Sequence, residues 1–196
     1  MDEDQMTRIL IAGDSFSSPA LAGDHGWPKI LAEKYATTNV SQPGIGEYKI
    51  LQNLKTQKLH TFDLVIVSHT SPYRVHTEIN PLYPAGHVYH TSDILFADAE
   101  SKHSCMADYF RYVFDPEYYR FVHTACCREI DHLTNSIPTI HITHFDWADL
   151  YPFESLINFH SFWTANRGNE VHYNEHGNQH VLDILTKEIE EKTNNR

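Results

Sequence analysis

Residues 9–20, ILIAGDSFSSPA, run four apolar side chains straight into Gly13-Asp14-Ser15. A serine delivered by the end of a buried strand acts as a nucleophile when a base within hydrogen-bond reach takes its proton. The same serine can instead cap the helix that follows, with Asp14 sharing that work. Fifteen histidines are the second chemical signal. His172, His176 and His180, at four-residue spacing, would share one helix face. His141, His144 and Asp146 form another set, so a metal-dependent hydrolase is one reading. Gly177 interrupts the first set and no Cys/His quartet has zinc spacing. Scattered surface and loop histidines, with no metal and no cofactor, are therefore expected. The three cysteines, an adjacent Cys126-Cys127 and a separate Cys105, form neither a disulfide framework nor a CxxC pair. That suits a reducing compartment.

The elements that must position these residues follow from hydrophobic spacing. Residues 7–13 (TRILIAG) and 62–68 (FDLVIVS) are short apolar runs of the buried-strand kind. TTNV at 37–40 and IPTIHITHF at 137–145 add two more strands. WPKILAEKY at 27–35 puts Pro28 at a helix start, with Ile30, Leu31 and Tyr35 on one face. Residues 48–59 repeat at helical period, and from about Asn174 to Lys192 the residues Val181, Leu182, Leu185 and Ile189 share a face. Strands alternating with helices predict parallel pairing and an α/β fold, a three-layer α/β/α sandwich. One domain over 1–196 is expected, with an insertion at about 72–115. CMADYFRYVF and PEYYRFVHTACCREIDHL read as two helices broken at Asp115-Pro116. Residues 146–170 read as irregular, and their aromatics, Trp147, Tyr151, Phe153, Phe159, Phe162 and Trp163, either line a cleft or plug the core. Ligands of such sheets sit beyond the C-terminal strand ends, where Ser15, the Pro43-Gly44 turn and Thr70 all fall.

Charge removes some functions. The formal net charge is −11 with histidine neutral, which opposes binding to nucleic acid or to an anionic membrane. Apolar runs are strand-sized, too short to span a bilayer. The N-terminus MDEDQMTR is acidic and lacks an apolar signal region, so a cytoplasmic location is expected. Oligomeric state is not readable.

Four segments together carry a resemblance. GDSFS after the first strand resembles the first block of the SGNH (GDSL-type) hydrolases. QPGIGEYKI is similar to the second block, DLVIVSHTSPYR to a third block with Thr in place of Asn, and NEVHYNEHGNQHVL to the last block, H-x-N-x-x-G. The blocks stand in the family's order and span residues 9–185. The resemblance implies a flavodoxin-like parallel sheet and a serine esterase. Ser15 would be the nucleophile and His172 the general base, then the acid toward the leaving group. The N–H groups of Ser15 and Gly44, with Gly46 as the fallback, would hold the oxyanion, and Thr70 would be the third donor. One such donor is worth on the order of 3 kcal/mol.

Two departures from the family pattern stand out. Thr70 reaches less far than an amide. Asn169 stands where the family has an Asp that orients and charges the imidazole, a change that lowers turnover by roughly 10⁴ in a serine-protease triad. Glu170 is the nearest substitute carboxylate, with Asp146 and Asp149 more distant. The readings are therefore an esterase acting through an acyl-serine, or a weak or inactive binding module on the same fold. Asp14, Arg74 and Trp147 are expected to face the substrate, a small-molecule or glycan ester such as an O-acetylated sugar. Each residue also has a plainer role: turn glycine for Gly44, strand-end residue for Thr70, helix cap for Asn174, solvated side chain for Arg74.

Overall fold

Alternate residues of the first strand leave for opposite cores. In β1 (Arg8–Gly13) Ile9 and Ile11 join Leu64, Ile66, Ile140 and Ile142 on one face, while Leu10 and Ala12 join Val65 and Val67 on the other. Burial on both faces is the condition of a central parallel strand. The computed structural model describes residues 6–22, 26–167 and 172–194. Its other strands are β2 (Ala36–Asn39), β3 (Leu64–His69), β4 (Thr139–Thr143) and β5 (Leu156–Asn158). All pair in parallel, in the order β2-β1-β3-β4-β5. This is the flavodoxin-like order, with its switch point between β1 and β3.

The helices, in chain order, are α1 (Pro19–Ala22), α2 (Trp27–Ala32), α3 (Glu47–Lys55), α4 (Phe96–Ser101), α5 (Cys105–Tyr112), α6 (Pro116–Thr134), α7 (His160–Ala165) and α8 (Glu175–Asn194). Trp27 and Leu31 of α2 and Val181, Leu182, Leu185 and Ile189 of α8 cover one sheet face. Ile50, Leu51 and Leu54 of α3 and Cys126 and Ile130 of α6 cover the other. The result is the expected three-layer α/β/α sandwich. α6 starts where Asp115-Pro116 predicts it: Asp115 Oδ1 accepts the N–H groups of Glu117 and Tyr118 at 3.0 and 3.4 Å. None of the helices among the described residues is long and apolar enough to cross a membrane.

Three elements depart from the sequence reading. β5 and α7 lie in the stretch read as irregular, and α4 lies in the insertion. β5 is three residues long and half exposed, too short to show alternation. The insertion is tied together by an antiparallel bridge, Val75 with Ile94, and by a small core of Ile94, Ala99 and Ala107.

Candidate active site

Register decides what meets at the switch point. Gly13 pairs with Ser68, so Ser15 and Thr70 each stand two residues past the same rung. Gln42 then donates its N–H to Gly13 C=O at 3.1 Å, which brings the 42–46 turn alongside. Gly13 permits this closeness: a Cβ there would lie 2.5 Å from Ser17 Oγ and from Ser68 Cβ.

The turn holding Ser15 is fixed on every side. Asp14 Oδ1 accepts the Phe16 N–H at 3.1 Å, and Asp14 C=O accepts the Ser17 N–H at 3.2 Å. Phe16 C=O accepts the Trp27 indole N–H at 2.9 Å, and Ser17 C=O accepts the Asn39 amide at 2.8 Å. The Ser15 N–H and the Gly44 N–H make no hydrogen bond within the described residues. Both residues line one cavity of about 360 Å³, and His172 lines it too. Backbone donors left open at a pocket wall are what an oxyanion needs.

His172 reaches this cavity through the packing of its neighbours. Asn174 Oδ1 accepts the Gly177 N–H at 2.8 Å, capping the first turn of α8. A Cβ on Gly177 would sit 2.7 Å from the Tyr173 ring, so the glycine lets that ring lie against the helix. Tyr173 OH pairs with His144 Nδ1 at 2.8 Å. Asn178 accepts the Trp27 N–H at 3.1 Å, joining α8 to α2 just behind the Ser15 turn. Phe16 centres this packing: its ring lies 5.1 Å from His172, 4.3 Å from His144 and 5.5 Å from Trp163. Burial pushes His144 down to about 3, so it stays neutral.

The insertion supplies the facing wall with Tyr83, Tyr89, Ser92 and Asp93, and Phe145 and Trp163 close the other side. Asp93 is buried and accepts the Gly46 N–H at 2.6 Å, with Lys49 Nζ 3.0 Å away. Thus the insertion also fixes the glycine turn. The wall residues Tyr83, Tyr89 and Ser92 carry no spacing signal in a weakly periodic segment, so nothing in the sequence marks them.

Other expected residues fall elsewhere. Thr70 is fully buried and is not among the residues lining the cavity. Its N–H goes to Glu47 Oε2 at 3.3 Å, its C=O accepts Tyr151 OH at 2.7 Å, and its Oγ1 accepts Arg74 Nε at 3.1 Å. Asp14 is likewise buried beneath the cavity rather than on its wall. Burial pushes its carboxyl up to about 6 against the pull of the Arg74 guanidinium. Trp147 packs edge-on against Tyr73 at 5.1 Å and does not line the cavity. Arg74 does line it. Asp149 pairs with Arg120 at 3.1 Å and Asp146 is exposed. Asn169 and Glu170 lie outside the described residues.

A buried polar cluster runs beneath Thr70, unforeseen from sequence. Glu47 Oε1 contacts His69 Nδ1 at 2.6 Å, and His69 Nε2 contacts His141 Nδ1 at 3.0 Å. Burial pushes Glu47 up to about 7 and drives His69 and His141 down to about 3 and about 2. Glu47, His69 and Cys127 are the one group of candidate metal donors within reach of each other among the described residues. The two Glu47 oxygens and both His69 nitrogens are engaged in hydrogen bonds, so the cluster works as a clamp on the β3 end. The histidine sets singled out by spacing do not assemble. His172 precedes α8, His176 and His180 pack by Phe162, and His141 and His144 turn to different partners.

No protein-family model matches the chain, and the search of curated proteins found no match.

Proposed function

We propose that the protein is a serine hydrolase of the SGNH type that cleaves a carboxylic ester through an acyl-serine. One observation carries the reading: Ser15, His172 and the unengaged N–H groups of Ser15 and Gly44 share one cavity at the sheet's switch point. Ser15 Oγ attacks the ester carbonyl while a His172 ring nitrogen takes its proton. The two N–H groups receive the negative charge that develops on the carbonyl oxygen. His172 returns the proton to the leaving alcohol, and water then repeats the sequence to free the acid.

The walls favour a sugar-borne ester. Tyr83, Tyr89, Trp163 and Phe145 line the cavity with aromatic surface, and Ser92 and Asp98 offer hydrogen-bonding groups among them. An O-acetyl group on a sugar or glycan fits that mixture. The test is release of p-nitrophenol from p-nitrophenyl acetate by wild type and by Ser15→Ala. The reading requires turnover by wild type and background release by the variant. Equal release by the two sinks it.

A further inference from the structure

Thr70 takes the place of the SGNH third-block donor, yet its hydroxyl is buried, accepts a hydrogen bond from Arg74 Nε at 3.1 Å and stays off the cavity wall. The donor set of the proposed esterase is therefore one short. Arg74 stands four residues on, and it does reach the wall, beside Ser15, Gly44 and His172.

The guanidinium is anchored at two of its three nitrogens. Nε donates to Thr70 Oγ1, and Nη1 donates to Gly44 C=O at 3.1 Å. These are the two segments that flank an oxyanion position in the proposed mechanism. Within the described residues Nη2 makes no hydrogen bond. A plain ion-pairing role is not what the contacts show, since Arg74 makes no direct ion pair with a described carboxylate. Asp93, the acid nearest the glycine turn, is matched by Lys49 instead. A planar cation held by bonds from two of its nitrogens has its remaining donors fixed in direction.

The geometry points to Arg74 as the third oxyanion donor, its guanidinium replacing the absent amide. The inference rests on the esterase reading of the same cavity. As the Ser15 Oγ–carbon bond forms and the proton passes to His172, the carbonyl π pair moves onto oxygen. Arg74 Nη2 donates to that oxygen together with the Ser15 and Gly44 N–H groups. When the pair returns, the bond to the alcohol breaks and the leaving oxygen takes the proton from His172. Thr70 becomes a positioning residue: it orients Arg74, and Glu47 and Tyr151 orient it. A donor that carries full charge binds a developing anion more strongly than a neutral one.

The experiment compares kcat and KM for p-nitrophenyl acetate in wild type, Arg74→Ala and Arg74→Lys, and repeats Arg74→Ala with guanidinium chloride at tens of millimolar. A lost oxyanion donor lowers kcat about 100- to 1000-fold while KM changes little. Guanidinium should restore turnover to Arg74→Ala and do nothing for Ser15→Ala. Arg74→Lys keeps charge but not the fork, so its kcat should fall short of wild type at similar KM, and this variant decides the matter if Arg74→Ala does not fold. An unchanged kcat overturns the inference. So does a raised KM at constant kcat, which would make Arg74 a ground-state contact. If wild type and Ser15→Ala coincide, the hydrolase reading itself fails, an outcome distinct from failure at Arg74 alone.

Discussion

The ring of Phe16 stands 5.1 Å from the ring of His172, although the two residues are joined by no local stretch of chain. Phe16 follows Ser15 directly, so one aromatic contact couples the serine turn to the imidazole. Four other rings, those of His144, Phe145, Trp163 and Tyr173, also touch Phe16 within 5.7 Å.

Removing that ring should loosen both partners. Phe16→Ala is expected to destabilise the fold by about 3–5 kcal/mol, the usual loss for a buried phenylalanine. It should also lower kcat more than it raises KM, because the geometry of the serine and imidazole suffers before the pocket walls do. Urea melts and steady-state kinetics on one preparation check both. A variant with full activity would show that Phe16 does not set that geometry.

Gly44 has φ +70°, in the left-handed region, and a Cβ there would lie 2.8 Å from Ser92 Cβ. Gly44→Ala is expected to lose about 1–2 kcal/mol from backbone strain alone. The strained turn displaces the Gly44 N–H, so under the proposed function turnover of p-nitrophenyl acetate should fall as well. Thermal melting and kcat measure the two effects. Equal stability and equal turnover would contradict this account of the turn.

Glu47 predicts a pH signature. Burial raises its carboxyl from an ordinary 4.5 to about 7, so the folded state holds a proton that the unfolded chain gives up sooner. The stability this proton confers is full below about 4.5 and is lost as pH rises through about 7. Glu47→Gln has no such titration. Its melting temperature relative to wild type should therefore climb between pH 5 and pH 8. A difference between the two proteins that is constant with pH would show Glu47 to be ordinary in its ionisation.

The layered sheet was legible because β3 and β4 repeat the burial of β1, and because α2 and α8 carry their apolar residues at helical spacing. The start of α8 was legible for a local reason: Asn174 caps it and Gly177 makes room for Tyr173, both within six residues of His172. β5 was not legible, being too short for any period. Nor was the anchoring of Arg74, since its two partners, Thr70 after β3 and Gly44 after β2, meet only when those strands lie on either side of β1. The Glu47–His69–His141 clamp likewise joins α3, β3 and β4, and no one segment carries its pattern. Trp147 and Asp14 are expected at the substrate and Thr70 at the oxyanion, and none of the three lines the cavity. Sequence position tells which strand end a residue occupies but not which way its side chain turns.

The central claim is that Ser15 is a nucleophile activated from within its own cavity. Labelling with a fluorophosphonate, followed by peptide mapping, tests it most directly. The account predicts one adduct, on Ser15, that Ser15→Ala abolishes and His172→Gln slows by about 100- to 10,000-fold. A folded wild-type protein that stays unlabelled, or that labels at the same rate without His172, would contradict it.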